Sequence, residues 1–164
     1  WQEQRSILHP GRIMASVIGI GQAKTSSATT VYDPTCGLGS LLLKVADAAQ
    51  TGVTLYGQEK DAITSGLARM NMILHDNATA EIHQGNTLAD PKFKDGDSLK
   101  TVHYVVANPP FSDKRWSTGI DPSKDPHERF KSFGVPPDKQ GDYAYLLHIV
   151  RSLKPSGCGA CILP

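Results

Sequence analysis

Two short turns carry the residue types from which chemistry can be built. Asn108-Pro109-Pro110-Phe111 follows the apolar run Val102–Ala107. Its prolines donate no hydrogen bonds and fix φ at about −65°, so the turn is rigid and presents carbonyl oxygens. The Asn108 side-chain oxygen and the Pro109 carbonyl are two acceptors. Together they can hold both hydrogens of a planar, weakly nucleophilic amine and draw its nitrogen toward a tetrahedral shape, with the lone pair aimed at an electrophile. The exocyclic amine of adenine is such a group, and Phe111 could stack on the base for roughly 1–3 kcal/mol. The bland alternative is a strand-ending Pro-Pro turn with Phe111 in the core.

The second turn is Asp33-Pro34-Thr35-Cys36-Gly37-Leu38-Gly39. Two glycines there let the backbone pass close to a ligand without interference from Cβ. A dinucleotide fingerprint would need a third glycine at position 42, which is Leu42, so a nicotinamide-dependent dehydrogenase is disfavoured. Asp33, just before the glycines, is placed to meet a cationic or amine-bearing ligand. Glu59 follows twenty residues after Gly39, where a carboxylate can accept both hydroxyls of a ribose. These features describe a pocket for a positively charged nucleoside, and S-adenosylmethionine fits that description. An ordinary strand-to-helix turn, with Glu59 as a solvated strand end, is the alternative.

Strand-length apolar runs alternate with helix-length patterns, so the fold class expected is α/β: a doubly wound, mostly parallel sheet with helices on both faces. The pattern predicts a lead-in helix over Pro10–Ile20 and a loop over Gly21–Thr29. Strands are expected at Thr30–Asp33, Thr54–Gln58, Thr79–His83, Val102–Ala107 and Gly157–Leu163. Helices are expected at Ser40–Gln50, Ala62–His75 and Gly141–Leu153, the second with Ile63, Leu67, Met70 and Leu74 on one stripe. Both turns then leave the carboxyl ends of strands, where ligands of such sheets bind. Ser112–Lys139 is Pro-rich, charged and without periodicity, and reads as a mobile, solvated loop. Its alternating cations and aromatics, Lys114-Arg115-Trp116 and Glu128-Arg129-Phe130-Lys131, also resemble a nucleic-acid contact.

With 164 residues, 39% of them hydrophobic, the chain can fill one core but hardly two. Seventeen Lys and Arg against sixteen Asp and Glu leave a formal charge of +1, too little to gather nucleic acid by a broad field. No apolar stretch approaches the roughly 20 residues of a membrane span, so no membrane role is expected. Three cysteines (Cys36, Cys158, Cys161) are too few for a secreted disulfide scaffold, and a cytoplasmic location is expected. Cys158 and Cys161 read as small core residues, and the six histidines show no paired metal spacing, so no metal site is expected.

Asp33-Pro-Thr-Cys-Gly37-Leu-Gly39, Tyr56-Gly-Gln-Glu59, Gly85-Asn86-Thr-Leu88 and Asn108-Pro-Pro-Phe111, in that order and spacing, resemble the class I S-adenosylmethionine-dependent DNA adenine N6-methyltransferases. The modification subunits of type I restriction-modification systems are the most similar branch. Asn71-Met72, Gly141-Asp142-Tyr-Ala-Tyr145 and Leu153-Lys-Pro-Ser-Gly157 extend the likeness over nearly all of Thr30–Pro164. The resemblance implies S-adenosylmethionine as cofactor, DNA as substrate, and specificity and restriction subunits as partners. It implies cofactor binding by Asp33, Thr35, Cys36, Gly37, Gly39, Glu59, Asn86 and Asn108, and a catalytic turn of Asn108, Pro109, Pro110 and Phe111. Asn86 stands where the family usually has Asp near the cofactor's adenine.

The aromatic-containing element that the family carries ahead of the lead-in helix is not recognisable before Pro10. Starting at Trp1 and stopping at Pro164, the sequence reads as residues 1–29, a lead-in helix and linker, and residues 30–164, a methyltransferase core lacking its last strands. Two alternatives stay open: methylation of a protein glutamine amide, which presents a similar planar nitrogen, and a cofactor-binding or assembly piece without turnover.

Overall fold

The structure, a computed structural model, describes residues 10–164, so the stretch ahead of Pro10, where the family's aromatic-containing element is not recognisable, lies outside the described residues. In chain order the elements are α1 (Pro10–Val17), a 3-10 turn (Ile20–Gln22), β1 (Thr30–Asp33), α2 (Ser40–Ala48), β2 (Thr54–Glu59), α3 (Ala62–Leu74) and β3 (Glu81–Gln84). There follow β4 (Lys94–Asp95) and β5 (Ser98–Leu99), which pair as a small antiparallel hairpin, then β6 (Val102–Ala107), a 3-10 turn (Pro122–Lys124), α4 (Gly141–Arg151) and β7 (Leu153–Cys161).

The other five strands form one sheet in the order β3-β2-β1-β6-β7, with every pairing parallel. Parallel neighbours need long crossovers, and the helices supply them. Alternation along the strands divides the core. Val31, Leu55, Ile82 and Val106 pack with Met14 of α1 and Ile18 just beyond it, Leu42 and Val45 of α2, and Ala68 and Met72 of α3. Tyr32, Val105 and Ala107 face the other way, onto Phe93 and Ile149. Both sheet faces are therefore covered, as a doubly wound fold requires. The order reverses between β1 and β6, where chain leaving the two strand tips diverges.

Most elements match the sequence pattern to within a few residues, and the departures have physical reasons. The lead-in helix stops at Val17 because Gly19 takes a left-handed conformation, φ 70°. The stretch between the third and fourth expected strands, where the sequence pattern shows no further element, holds the β4–β5 hairpin, which turns at Gly96. The last strand starts at Leu153 rather than Gly157, running through Lys154-Pro155-Ser156 with an irregular register against β6. In the described residues β7 is a sheet edge, where a proline's missing donor costs no ladder hydrogen bond. On that edge Cys158 is exposed, which corrects its reading as a core residue, while Cys161 is half-buried and packs against the cluster around Tyr32 and Ile149.

The apolar stripe expected to anchor α3 points outward. Ile63, Leu67, Met70 and Leu74 are 77%, 46%, 57% and 74% exposed, and the inward face is Ser65, Ala68 and Met72. Small residues face in because α3 lies tight against the glycine turn: a Cβ at Gly39 would collide with the Met72 methyl. Periodicity identifies a stripe; here close approach of backbone decides which stripe is buried. Met72→Ala is expected to destabilise the fold by about 2–5 kcal/mol, whereas Leu67→Gln should stay within about 0.5 kcal/mol, as measured by urea denaturation. Equal losses would overturn this assignment of the buried face.

Candidate functional site

At the strand reversal, the turn after β1 and the turn after β6 line a single cleft of about 540 Å³. That volume falls within the roughly 300–1,000 Å³ typical of small-molecule sites. From the sequence-derived set it brings together Thr35, Gly37, Glu59, Asn86, Asn108 and Pro110. Gly37 holds φ 53°, and a Cβ built there meets nothing within 4 Å, so the turn faces open space. Its amide donates to Glu59 Oε2 at 3.0 Å, while Glu59 Oε1 accepts from the Asp61 amide at 2.9 Å. One carboxylate thus ties the glycine turn to the tip of β2 and keeps part of itself toward the cleft.

The remaining candidates stand behind or beside that lining. Asp33 is fully buried below the turn instead of reaching the surface of the cleft. Its Oδ1 accepts from the Thr35 amide at 2.9 Å, but Oδ2 has no hydrogen-bond partner, and neither does the buried hydroxyl of Thr35. Burial pushes the Asp33 carboxyl up to about 7, with the Thr35 amide pulling the other way and the Glu59 charge adding to the rise. Cys36 packs into the core, and burial raises its thiol well above the usual range. Gly39 caps α2 in a left-handed conformation, φ 83°. Pro109 is buried, whereas Phe111 is 54% exposed.

Six lining residues stand outside the site set that the resemblance implies: Pro34, Lys60, Thr87, Asp113, Arg115 and Tyr145. Lys60 and Thr87 adjoin residues that were singled out, and Tyr145 belongs to a segment quoted for the resemblance. Tyr145 is 6% exposed, and burial, then the charges of Asp113 and Glu59, push its hydroxyl up to about 12. Asp113 and Arg115 belong to the 112–139 connector, which is mostly exposed, as a solvated loop would be, but buries Trp116, Arg129, Phe130 and Pro136. Trp116 and Phe130 are 2% and 3% exposed and meet edge to face, 5.7 Å between ring centroids. Trp116 Nε1 also donates to the Pro137 carbonyl at 3.2 Å. These rings are spent on a core shared with Leu88 and with Ala144, Tyr145 and Leu147 of α4, and offer no stacking platform. The connector is pinned at its start, where the Ser112 amide donates to the Asp142 carboxylate of α4.

Against this geometry, the family model of the N-6 DNA methylases matches residues 9–164. The chain belongs to the N-6 DNA methylase family. As a member, it is 31% identical over 136 residues to the type I restriction enzyme MjaIX methylase subunit of Methanocaldococcus jannaschii, a match covering 78% of this chain and 24% of the relative. The crystal structure of the type I restriction-modification system methyltransferase subunit from Streptococcus thermophilus superposes with a TM-score of 0.77 at 32% identity, over 94% of this chain and 33% of that one. A SAM-dependent methyltransferase from Thiobacillus denitrificans, in complex with S-adenosyl-L-homocysteine, shares the fold at TM-score 0.54 and 13% identity, over 91% of this chain and 46% of that one. The chain spans about a quarter of the length of that archaeal relative and a third of the streptococcal subunit.

The residues of this methylase segment suit the cofactor that its resemblance implies. An open cleft, a carboxylate at the tip of β2 and two buried polar atoms without partners beneath the glycine turn are what an adenosyl group bearing an amino acid would need. Among the described residues no cluster of His, Cys, Asp and Glu could hold a metal ion, and no helix is long and apolar enough to cross a membrane. Because the folded protein keeps Asp33 protonated more readily than its ordinary 3.8, this group's stabilising contribution is whole below pH 4 and is lost as pH rises through about 7. The melting temperature of the unliganded protein should therefore decline from pH 5 to pH 8 more steeply than that of Asp33→Asn. Parallel profiles in calorimetry would show that Asp33 does not carry the slope.

Proposed function

We propose that this segment is the catalytic core of an enzyme that transfers a methyl group from S-adenosylmethionine to the N6 amine of adenine in DNA. The enzyme would be the modification component of a type I restriction-modification system, working in the cytoplasm with specificity and restriction subunits. On this reading residues 30–164 are the catalytic core and residues 1–29 lead into it. The observation that carries the proposal is that Asn108, Gly37 and Glu59 line one cleft at the strand reversal. Its relatives, methylase and methyltransferase subunits of type I restriction systems, support the same reading.

When bound, S-adenosylmethionine supplies a methyl group on a sulfonium, a strong electrophile that needs no covalent enzyme intermediate. The remaining work falls to the chain's own residues. Glu59 accepts the ribose hydroxyls while keeping the Gly37 amide, and Asn86 meets the adenine edge. Asp33, buried beneath the glycine turn, holds the Thr35 amide and so shapes the turn that faces the ammonium end. On the other side, the Asn108 oxygen and the Pro109 carbonyl accept the two hydrogens of the target amine, and Phe111 is exposed enough to stack on a base extruded from the duplex. Holding nitrogen and methyl in line makes the displacement local, a large part of the rate enhancement. The N–C bond would form as the C–S bond breaks, the electron pair staying on sulfur as a neutral thioether, and the methylated amine would then lose one proton to solvent.

Incubating the complete polypeptide with its partner subunits, cofactor and DNA, followed by nucleoside analysis, tests this reading. N6-methyladenine should appear, and Asn108→Ala should lower kcat/KM by about 10²–10³, the range for removing one preorganised group at a reacting centre. Methylated cytosine as the product, or full activity without Asn108, would overturn it.

A further inference from the structure

Arg129 lies in the 112–139 connector, outside every motif that marks the cleft, yet its side chain is 1% exposed. Buried arginine is rare because the guanidinium keeps its charge in any protein environment. This one is compensated: Nη2 bonds Asp125 Oδ1 at 2.6 Å and Nε bonds Asp125 Oδ2 at 3.0 Å, a two-pronged pair with a carboxylate that is itself 3% exposed. Burial alone would raise Asp125; the hydrogen bonds from Arg129 outweigh it and hold the carboxyl below its usual range. The pair satisfies its own charge and still leaves donors over.

Those donors reach the cofactor side of the cleft. Nη2 also donates to the Leu88 carbonyl at 2.8 Å. The amide of the same residue, Leu88, donates to Asn86 Oδ1 at 3.1 Å, and the Ala89 amide shares that oxygen at 3.4 Å. Leu88 is thus gripped from both sides, and Asn86 is turned so that its oxygen caps its own loop and its amine is left for the cleft. Thr87, between them, lines the cleft and donates to the Pro34 carbonyl of the glycine turn at 2.5 Å. Arg129 Nη1 also approaches His148 Nδ1 at 3.4 Å, and His148 Nε2 meets the Tyr32 hydroxyl at 3.3 Å. Since arginine can only donate, Nδ1 must accept, which places the imidazole proton on Nε2. Every group around the 86–89 turn then has a fixed role.

We propose that Arg129 is a positioning residue for cofactor binding: through Leu88 it sets the Asn86–Thr87 turn against which the nucleoside is held. The inference rests on the methyltransferase reading and deepens it, since it assigns to the connector the shape of the cofactor half of the cleft. Lysine is not an adequate substitute, because a single ammonium cannot bind both Asp125 oxygens and still reach Leu88.

The test uses the complete polypeptide carrying Arg129→Lys and, separately, the paired change Asp125→Asn with Arg129→Gln, which orphans no charge and is expected to fold if the single variant does not. In unliganded protein, amide exchange at 86–90 should speed up in both variants while the strands of the sheet keep their protection. Calorimetry should show S-adenosylmethionine affinity reduced roughly tenfold or more, the scale of hydrogen bonds to a charged donor, with KM for cofactor raised and KM for DNA and saturated kcat held. Wild-type exchange at 86–90, or cofactor and DNA constants that worsen together, would overturn the proposal. Wild-type protein that fails to bind S-adenosylmethionine would instead sink the methyltransferase reading, and the exchange measurement would still decide whether Arg129 sets the turn.

Discussion

Between β1 and β6 the sheet changes direction of winding, so the segments leaving these neighbouring strands turn to opposite faces and cannot close over the gap between their tips. Every polar group of the candidate site is arranged around that gap. The glycine turn enters from β1, Glu59 from β2, the Asn86 turn from β3 and the Asn-Pro-Pro-Phe turn from β6. Parallel pairing is what places all four at one edge, since parallel strands all end on the same side. An antiparallel strand among them would have sent one of these turns to the far rim.

Local conformation then specialises each turn. Proline removes donors from the β6 turn, so it presents oxygens. Glycine gives the β1 turn a left-handed residue, so it presents an amide, which Glu59 takes up. The two sides of the cleft therefore differ in chemistry, an accepting surface facing one that also donates. Under the proposed function an amine and a nucleoside cation are separate demands, which two differently built turns would meet.

The strands and helices were legible in the sequence because hydrophobic period and turn residues agree along most of the chain, as at Thr30–Asp33 and Val102–Ala107, where the expected and observed bounds coincide. The two turns were legible because Gly and Pro impose backbone geometry through sterics that no tertiary contact needs to complete. Less readable were features set by packing at a distance. The inward face of α3 follows from how close the helix comes to Gly39, and Ser65 and Ala68 give no apolar signal of that. Charge and aromatic content in the connector suggest a wet surface, which most of it is, and give no sign of the residues it buries. Burial of Arg129 depends on Asp125 four residues earlier and on a carbonyl forty-one residues away, a partnership that local pattern does not display.

The outward stripe of α3 has a consequence for how the molecule behaves in bulk. Four aliphatic or thioether side chains along one flank, joined by Ile73 at 62% exposure, form a sticky strip. With a formal charge of +1 near neutrality and an isoelectric point of about 7.9, little electrostatic repulsion keeps two such strips apart. Taken alone at high concentration, this segment has the colloidal profile of a self-associating particle, and moving the buffer well away from its isoelectric point is the simplest way to restore repulsion between particles.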